Sequence, residues 1–320
     1  MEDFEKLLEQ ELLTLQKKMK DYLSTQVPIL DYVLRYIIKQ KGKFLRPYFV
    51  FLSGKLFGDI TESTYRAAAA VELLHTATLI HDDVVDMSEK RRGFFSIKAI
   101  WKNKIAVLSG DYLLSKGMLL LLDNKDYEQL QLLSEAVKKM SEAELLQLEK
   151  AKFFGVNEKN YFKIIEGKTA SLIASSCAIG TASVCQDKEK IQLMEKVGNL
   201  VGIAFQIKDD LLDLSLQDIG KPRGQDLKDN KMTLPILYTL EQLSWLKKRQ
   251  MKYWINNSSK NPKQLEKVLR TCKEEGGIEY AEKKMNTYVQ EAKGLLNTLP
   301  DSQYRKAFHS LIDFTISRKK

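Results

Sequence analysis

The sequence predicts an all-α protein, and three observations support this class. Only six prolines occur in 320 residues, and none lies between Pro47 and Pro222, whereas a mixed fold would need more turns. Apolar residues recur at helical spacing along most of the chain. An Asp-Asp-x-x-Asp pattern occurs at residues 82–86 and again at 209–213, each time within an apolar helical run. The chain is therefore expected to be helical throughout.

Composition predicts the domain organisation and the cellular compartment. With 44% hydrophobic residues the chain can bury a large core, and because no linker divides it, we expect one domain over residues 1–320. The three cysteines lack the spacing of a metal site and leave an odd thiol, which is typical of a reduced, cytoplasmic protein. The charged N-terminus lacks the layout of a signal peptide.

Neither a membrane span nor a nucleic-acid partner is predicted. The most apolar segment, residues 105–122, is interrupted by Asp111 and Lys116. The net charge is +9, but the basic residues are scattered through helical patterns instead of forming one arm, which favours a solvated surface.

The spacing of apolar residues and the positions of proline, glycine and capping residues predict where the helices lie. Leu and Met alternate with Glu and Lys over about residues 2–25, and Pro28 opens a second helix that ends near Gly42. A long helix over residues 62–86 contains four consecutive alanines, which let helices pack closely or leave space beside them. Further helices are predicted over residues 105–122, from the turn at 123–126 to about 150, from the cap Asn157, over 188–214, from 231–235, and after a turn at 256–259.

Each Asp-rich pattern forms an acidic patch. On a helix Asp82 lies one turn from Asp86, and Asp209 one turn from Asp213. Like charges at this spacing weaken a helix, so a compensating cation is needed. Mg²⁺ suits the position, because it binds carboxylate oxygens, keeps several water ligands and completes its coordination shell with substrate phosphates. A single copy could equally be a solvated helix face, but two copies flanked by apolar residues favour the metal site.

Basic residues at helix ends point to an anionic ligand. Lys43 and Arg46 are three apart at a boundary marked by Gly and Pro, which suits an anion clamp, although such residues also bind terminal carbonyls. Arg91 and Arg92 follow the first patch and suit diphosphate, because each guanidinium grips phosphate oxygens in a fork. The Gly- and Pro-containing loop at 218–227, with Lys221, suits a lid over bound phosphates.

Taken together, these motifs resemble the trans-isoprenyl (polyprenyl) diphosphate synthases, of the long-chain type. The resemblance runs from about residue 42 to 235. Its motifs are Gly-Lys-x-x-Arg-Pro at 42–47, the Asp-rich motif at 82–86 with Arg91-Arg92-Gly93, Gly110-Asp111-Tyr112-Leu113, Lys168-Thr169, Phe205-Gln206 before Asp209-Asp210-x-x-Asp213, and the Gly-Lys pair at 220–221. It implies a bundle of antiparallel helices around a central cavity (the isoprenoid synthase type I fold), as a homodimer.

The resemblance implies a Mg²⁺-dependent condensation of isopentenyl diphosphate with an allylic diphosphate. Mg²⁺ ions, about three per site, would stabilise charge on the leaving diphosphate, and the new cation would be attacked by the isopentenyl double bond. The implied Mg²⁺ ligands are Asp82, Asp86 and Asp209, with Asp83, Asp210 and Asp213 completing the shells. Isopentenyl diphosphate would be held by Lys43, Arg46, His75 and Arg92. The leaving group would be held by Arg91, Lys168 and Lys221. Thr169 and Gln206 would line the carbocation region.

Two positions depart from the family pattern. Phe44 stands where a basic residue is frequent, and Ala143 precedes Glu144 where Gly is common. Since Lys43 and Arg46 are kept, we expect Phe44 to reduce phosphate affinity at most. His75 could be an ordinary core histidine, but it lies on the face of Asp82, two turns away, which favours a ligand role.

Product length is predicted from the helix upstream of the first Asp motif. By the resemblance, this helix lines a hydrophobic tunnel, and each turn back from Asp82 adds about 5.4 Å, near the reach of one isoprene unit. Short-chain enzymes place an aromatic residue just upstream, whereas Ala77 and Thr78 are small. We therefore expect a hexaprenyl to octaprenyl product for quinone side chains; closure by Leu74 or Val71 would instead give a geranylgeranyl or farnesyl product.

Three other functions compete. A terpene cyclase would need no second diphosphate site and usually replaces the second Asp motif. The presence of Lys43, Arg46 and the Arg91-Arg92 pair argues against a cyclase. A non-catalytic subunit of a heteromeric synthase typically loses carboxylates that this chain retains. Nucleic-acid binding rests on net charge alone. The expected partners are thus the two diphosphates and a second copy, with at most peripheral membrane contact for product release.

Overall fold

The computed structural model describes residues 3–39, 44–91, 93–151, 157–214, 227, 231–258 and 261–317, and they confirm the all-α class. The helices are α1 (Asp3–Leu7), α2 (Glu9–Tyr22), α3 (Pro28–Lys39), α4 (Leu45–Lys55), α5 (Glu62–Val85), α6 (Ile97–Leu122), α7 (Tyr127–Ala151), α8 (Glu158–Ile165), α9 (Ser171–Ala182), α10 (Lys188–Asp213), α11 (Leu234–Gln242), α12 (Trp245–Asn257), α13 (Pro262–Glu274), α14 (Gly277–Leu296) and α15 (Gln303–Ser317). A π-helical turn (Glu166–Ala170) separates α8 from α9, and β1 (Lys90–Arg91) pairs with β2 (Phe94–Phe95) in an antiparallel hairpin.

The chain forms two compact units. Unit 1 comprises Met1–Glu135, Ala174–Glu195 and Pro300–Ser310, and unit 2 comprises Ala136–Ile173, Lys196–Leu299 and Leu311–Lys320. The first Asp motif belongs to unit 1 and the second to unit 2. The single domain over residues 1–320 remains a prediction.

Unit 1 is built around α5, which packs along α6 and against α4. Thr61 caps α5 by accepting a hydrogen bond from the Thr64 backbone, which explains the correctly predicted start of this helix. The four alanines at 67–70 are fully buried. A Cβ at Gly117 of α6 would lie 3.3 Å from the Ala70 carbonyl oxygen, so at Ala70 the small residue serves close helix packing.

Unit 2 has its own apolar core under α11, which packs on α13 and α14. Its buried members include Ile236 of α11, Met251 of α12 and Val268 of α13. α14 begins where the backbone of Gly277 lies close to the Pro235 carbonyl oxygen, leaving no room for a Cβ. This core fixes one face of α12 and leaves the other exposed.

Several predicted boundaries differ from the structure. The first helix is interrupted at Leu8, and the helix predicted from residue 105 begins at Ile97, where the Ser96 hydroxyl accepts from the Ala99 backbone. Lys102 has a φ of 71°, so α6 is kinked there. Because the kink breaks the helical spacing of apolar residues, the sequence did not predict the two turns before it. By length and composition alone α6 could cross a membrane, but core helices pass the same test, and α6 packs along α5.

Candidate active site

The three aspartates of the first motif have different environments at the end of α5. Asp82 is half-buried and Asp86 is exposed. Asp83 is only 3% exposed, and its Oδ1 lies 2.7 Å from Nε of Arg91. Burial raises the pKa of Asp83, while the hydrogen bond from Arg91 opposes that rise. Asp83 is therefore an internal ion-pair partner, whereas Asp82 and Asp86 are more exposed to solvent.

The β-hairpin places Arg91 against this motif. Arg91 pairs with Phe94 across the hairpin, and Gly93 turns the chain with a φ of 82°, a conformation that favours glycine. The Tyr36 hydroxyl of α3 donates to the Phe95 carbonyl at 2.7 Å, which ties the hairpin to α3. The predicted contact of Arg91 with the leaving diphosphate remains a prediction; the structure shows this guanidinium on Asp83.

The second motif, on α10, repeats the same division. Asp209 is exposed and Asp213 half-buried, but Asp210 is only 4% exposed. Tyr161 of α8 donates its hydroxyl to Oδ2 of Asp210 at 2.7 Å, and Gln206 donates its amide to Oδ1 at 2.9 Å. In both motifs the middle aspartate is held inside its own unit and the outer two remain accessible.

The π-helical turn carries the predicted ligands Lys168 and Thr169. Thr169 donates its hydroxyl to Oε1 of Gln206 at 2.7 Å, so Thr169, Gln206 and Asp210 form one hydrogen-bonded chain. Lys168 forms an ion pair with Glu144 of α7. π-Helical turns are rare and are frequently found at functional sites. Asp210 therefore fixes the orientation of the Gln206 amide, and Gln206 in turn fixes the Thr169 hydroxyl.

A close approach between helices holds this turn in place. A Cβ added to Gly167 would lie 2.5 Å from Cβ of Ala143 and 2.8 Å from the Lys139 carbonyl oxygen. Only glycine at position 167 therefore fits beside Ala143. The alanine that departs from the family pattern is thus the residue that faces Gly167.

The predicted isopentenyl diphosphate ligands are only partly described. Arg46 lies half-buried in the first turn of α4, and His75 is half-buried on α5. Lys43, Arg92 and Lys221 lie outside the described residues, so their predicted roles are not tested. Phe44, before α4, has a φ of 48°, a left-handed conformation that is uncommon for a bulky residue and marks local strain beside Arg46.

The accessible carboxylates suit Mg²⁺. In the part of the chain that the structure describes, no group of three or more His, Cys, Asp or Glu side chains forms a ready cage for one ion. Mg²⁺ instead binds one or two carboxylates and is completed by waters and substrate phosphates. The outer pairs, Asp82 with Asp86 and Asp209 with Asp213, supply such donors one helical turn apart.

The predicted product-length residues lie along α5. Val71, Leu74 and Ala77 are buried, and Thr78 is half-buried with its hydroxyl donating to the His75 carbonyl at 2.9 Å. Ala77 packs in the unit 1 core with Leu73 and Ile80.

Sequence reasoning missed two contacts and one irregular turn. Nothing in the sequence around Tyr161 indicates its hydrogen bond to Asp210, and the π-helical turn leaves no mark in helical periodicity. The Nε2 atom of His81 lies 3.2 Å from the Val107 carbonyl oxygen, against Gly110 of α6. Here a signal existed, since a glycine inside an apolar helix marks a close approach.

The all-helical fold, an accessible pair of carboxylates in each unit, and the cations Arg91 and Lys168 are features typical of enzymes that bind diphosphates through a divalent metal. A family model described as polyprenyl synthetase matches residues 27–272. The chain belongs to the polyprenyl synthetase family, and it is a prenyltransferase.

Relatives and solved structures agree with this assignment over nearly the whole chain. Component 2 of the heptaprenyl diphosphate synthase of Bacillus subtilis is 32% identical, over 98% of this chain and 89% of the relative. The octaprenyl diphosphate synthase of Escherichia coli is 30% identical, over 100% and 99%. A polyprenyl synthase of Caulobacter crescentus, complexed with calcium and isoprenyl diphosphate, superposes with a TM-score of 0.90 at 29% identity, over 99% and 98%. A geranylgeranyl pyrophosphate synthetase of Pyrococcus horikoshii gives 0.91 at 29%, over 99% and 98%.

Proposed function

We propose that this trans-polyprenyl diphosphate synthase makes a long product, hexaprenyl to octaprenyl, used for quinone side chains. The observation that carries the proposal is the run of small residues upstream of Asp82, since Ala77 and Thr78 place no bulky group there. The names of the B. subtilis and E. coli relatives support a long product. A geranylgeranyl product is the alternative, supported by the name of the P. horikoshii structure and by buried Leu74 and Val71 on the same helix.

The carboxylates divide the work of binding. Asp82 and Asp86, with Asp209 and Asp213, would hold Mg²⁺, which supplies charge stabilisation to the departing diphosphate. Asp83 and Asp210 position their helices through Arg91 and Tyr161 instead. This division modifies the shell-completing role first predicted for Asp83 and Asp210.

The side chains around the second motif orient the substrate. Lys168 offers a cation to the leaving group, and its ion pair with Glu144 keeps that cation in place before substrate arrives. Thr169 and Gln206 line the site with oriented dipoles, because each is fixed by a hydrogen bond that leads to Asp210. None of these groups needs to act as a nucleophile.

The assembly is proposed to be a homodimer. Val107, Leu108, Leu119 and Leu122 are exposed on one face of α6, and a second copy would cover such a stripe. The B. subtilis relative is named as one component of an enzyme, so a different partner subunit is the alternative. Light scattering of the pure protein gives the mass of the assembly.

We also propose a cytoplasmic location, supported by three cysteines that form no disulfide.

One assay tests the function. The pure protein is incubated with farnesyl diphosphate, isopentenyl diphosphate and Mg²⁺, and the products are identified by mass. Elongation to six to eight isoprene units is expected, and Asp82→Asn should abolish it. A product that stops at geranylgeranyl diphosphate would refute the long-chain proposal. Absence of any elongation would refute a self-sufficient synthase and favour a required partner subunit.

A further inference from the structure

Helix α12 exposes three large apolar side chains. Trp245, Leu246 and Tyr253 are 70%, 71% and 59% exposed. Leu246 and Tyr253 are seven residues apart, so they lie on one face, which points away from the buried Met251 and Ile255. A soluble surface rarely groups a Trp, a Leu and a Tyr on one short helix without a binding partner.

The same helix is strongly basic. It contains Lys247, Lys248, Arg249 and Lys252 and no acidic residue. Over residues 241–275 there are nine Lys and Arg residues and four Glu residues, a net charge of +5 within a chain total of +9. This segment therefore carries a local excess of positive charge.

Cations and aromatic rings are interleaved on this surface. The guanidinium of Arg249 lies 5.9 Å from the centre of the Trp245 ring, and Nζ of Lys267 lies 5.4 Å from that of Trp254. At one border Nζ of Lys247 lies 3.4 Å from a carboxylate oxygen of Glu275. Arg249 is exposed on the face that carries Trp245, Leu246 and Tyr253, on the other side of α12 from Lys247.

We propose that this face of α12 docks on a bilayer surface that contains anionic phospholipids. Trp and Tyr favour the headgroup region, Leu246 reaches the apolar boundary, and Lys and Arg contact the phosphates. The exposed aliphatic side chain favours lipid over nucleic acid, for which stacking and charge would be enough. The product of a polyprenyl synthase is itself a lipid diphosphate, so docking places the enzyme beside a phase that accepts the product.

Sedimentation with vesicles tests the proposal on the full-length protein. Binding is compared between phosphatidylcholine vesicles and vesicles with a third of phosphatidylglycerol. We expect binding to the anionic vesicles that weakens in high salt. Arg249→Gln should lower the partition coefficient by about fivefold, the value for one basic residue at the surface. Trp245→Ser with Leu246→Ser should abolish sedimentation.

Matched controls separate docking from general effects. Arg35→Gln removes one exposed charge, and Tyr32→Ser one exposed aromatic residue, both on α3. These variants should sediment like the parent protein. All variants should keep the helix content of the parent, read by circular dichroism, and its synthase activity in solution, because α12 carries none of the proposed ligands.

Three results would overturn the proposal. The first is that the parent protein does not sediment with anionic vesicles. The second is that the α12 variants sediment as much as the parent does. The third is that the protein binds a single-stranded oligonucleotide at the same ionic strength but does not bind vesicles. Because the readout is binding and not product, its failure leaves the proposed chain length untouched, and a short product leaves the docking proposal untouched.

Discussion

Tyr161 donates its hydroxyl to Asp210, with 2.7 Å between Oη and Oδ2. Gln206 donates to the other oxygen, so both oxygens of this buried carboxylate accept a hydrogen bond. Asp83 meets Arg91 in the corresponding position of the first motif. Each motif thus needs an internal partner for its middle aspartate, since a buried carboxylate without one is strongly disfavoured.

Tyr161→Phe is expected to lower the unfolding free energy by about 1.5 to 3 kcal/mol, the range for a hydrogen bond to a charged group. It should also raise the Mg²⁺ concentration needed for half-maximal activity, because α10 loses a contact that fixes its acidic face. Thermal unfolding and a Mg²⁺ titration of activity measure the two effects. Tyr280→Phe is the matched control, because Tyr280 donates to Glu158 in the same unit at 2.8 Å. An equal Mg²⁺ shift in both variants would contradict this role.

Asp82→Asn and Asp83→Asn should have different effects. Asp82→Asn should remove activity, because Asp82 is a proposed Mg²⁺ ligand, and should lower stability less than Asp83→Asn does, because Asp82 is only half-buried. Asp83→Asn should lower the unfolding free energy by about 2 kcal/mol, since Arg91 loses the charge of its partner. Activity assays and denaturant titrations distinguish them. Loss of activity at full stability in Asp83→Asn would contradict the structural role.

Gly167→Ala should displace the π-helical turn and reduce activity at least tenfold, because the new Cβ would collide with Ala143 and with the Lys139 carbonyl. Adding Ala143→Gly should restore part of the activity, since it removes the first collision but not the second. Gly294→Ala is the control: nothing lies within 4 Å of its Cβ position in helix α14, so this change should raise stability by about 0.5 to 1 kcal/mol. Full activity of Gly167→Ala would show that the turn can shift freely.

Thr78→Phe should shorten the product, because a ring one turn upstream of Asp82 would occupy the predicted tunnel. Mass analysis of the products gives the change. Thr76→Phe makes the same substitution two residues away on another face of α5 and should not shorten the product. An unchanged product from Thr78→Phe would argue against this wall of the tunnel.

The three thiols should react at different rates. Burial raises the pKa of Cys177 and of Cys272 to about 12, so at pH 8 almost none of either is the reactive thiolate. Cys185 is half-buried. A colorimetric thiol reagent should therefore find one fast group per native chain and three after unfolding. Since both folded pKa values lie above the unfolded ones, the stability these thiols contribute is present below pH 9 and is lost as the pH rises toward 12. Two or more fast thiols in the native protein would contradict their burial.

Local signals in the sequence predicted much of this structure. Proline scarcity gave the class, Asn157 was correctly placed as a cap, and the ends of the helix over residues 62–86 agree within one residue. The partners of Asp83 and Asp210 could not be predicted in the same way. Arg91 is eight residues from Asp83 and was assigned to substrate, because a charge beside a phosphate and a charge beside a carboxylate look the same in sequence. Tyr161 is 49 residues from Asp210, and only folding brings the pair together.

The π-helical turn at Glu166–Ala170 also bears on how such chains diverge. A π-helical turn contains about one residue more than an α-helical turn. Deleting one residue here would let α8 and α9 join as a continuous α-helix and would rotate Lys168 and Thr169 by about 100° around its axis. A single-residue gap at this place in a related chain therefore signals a different active-site geometry, even where every catalytic residue is retained.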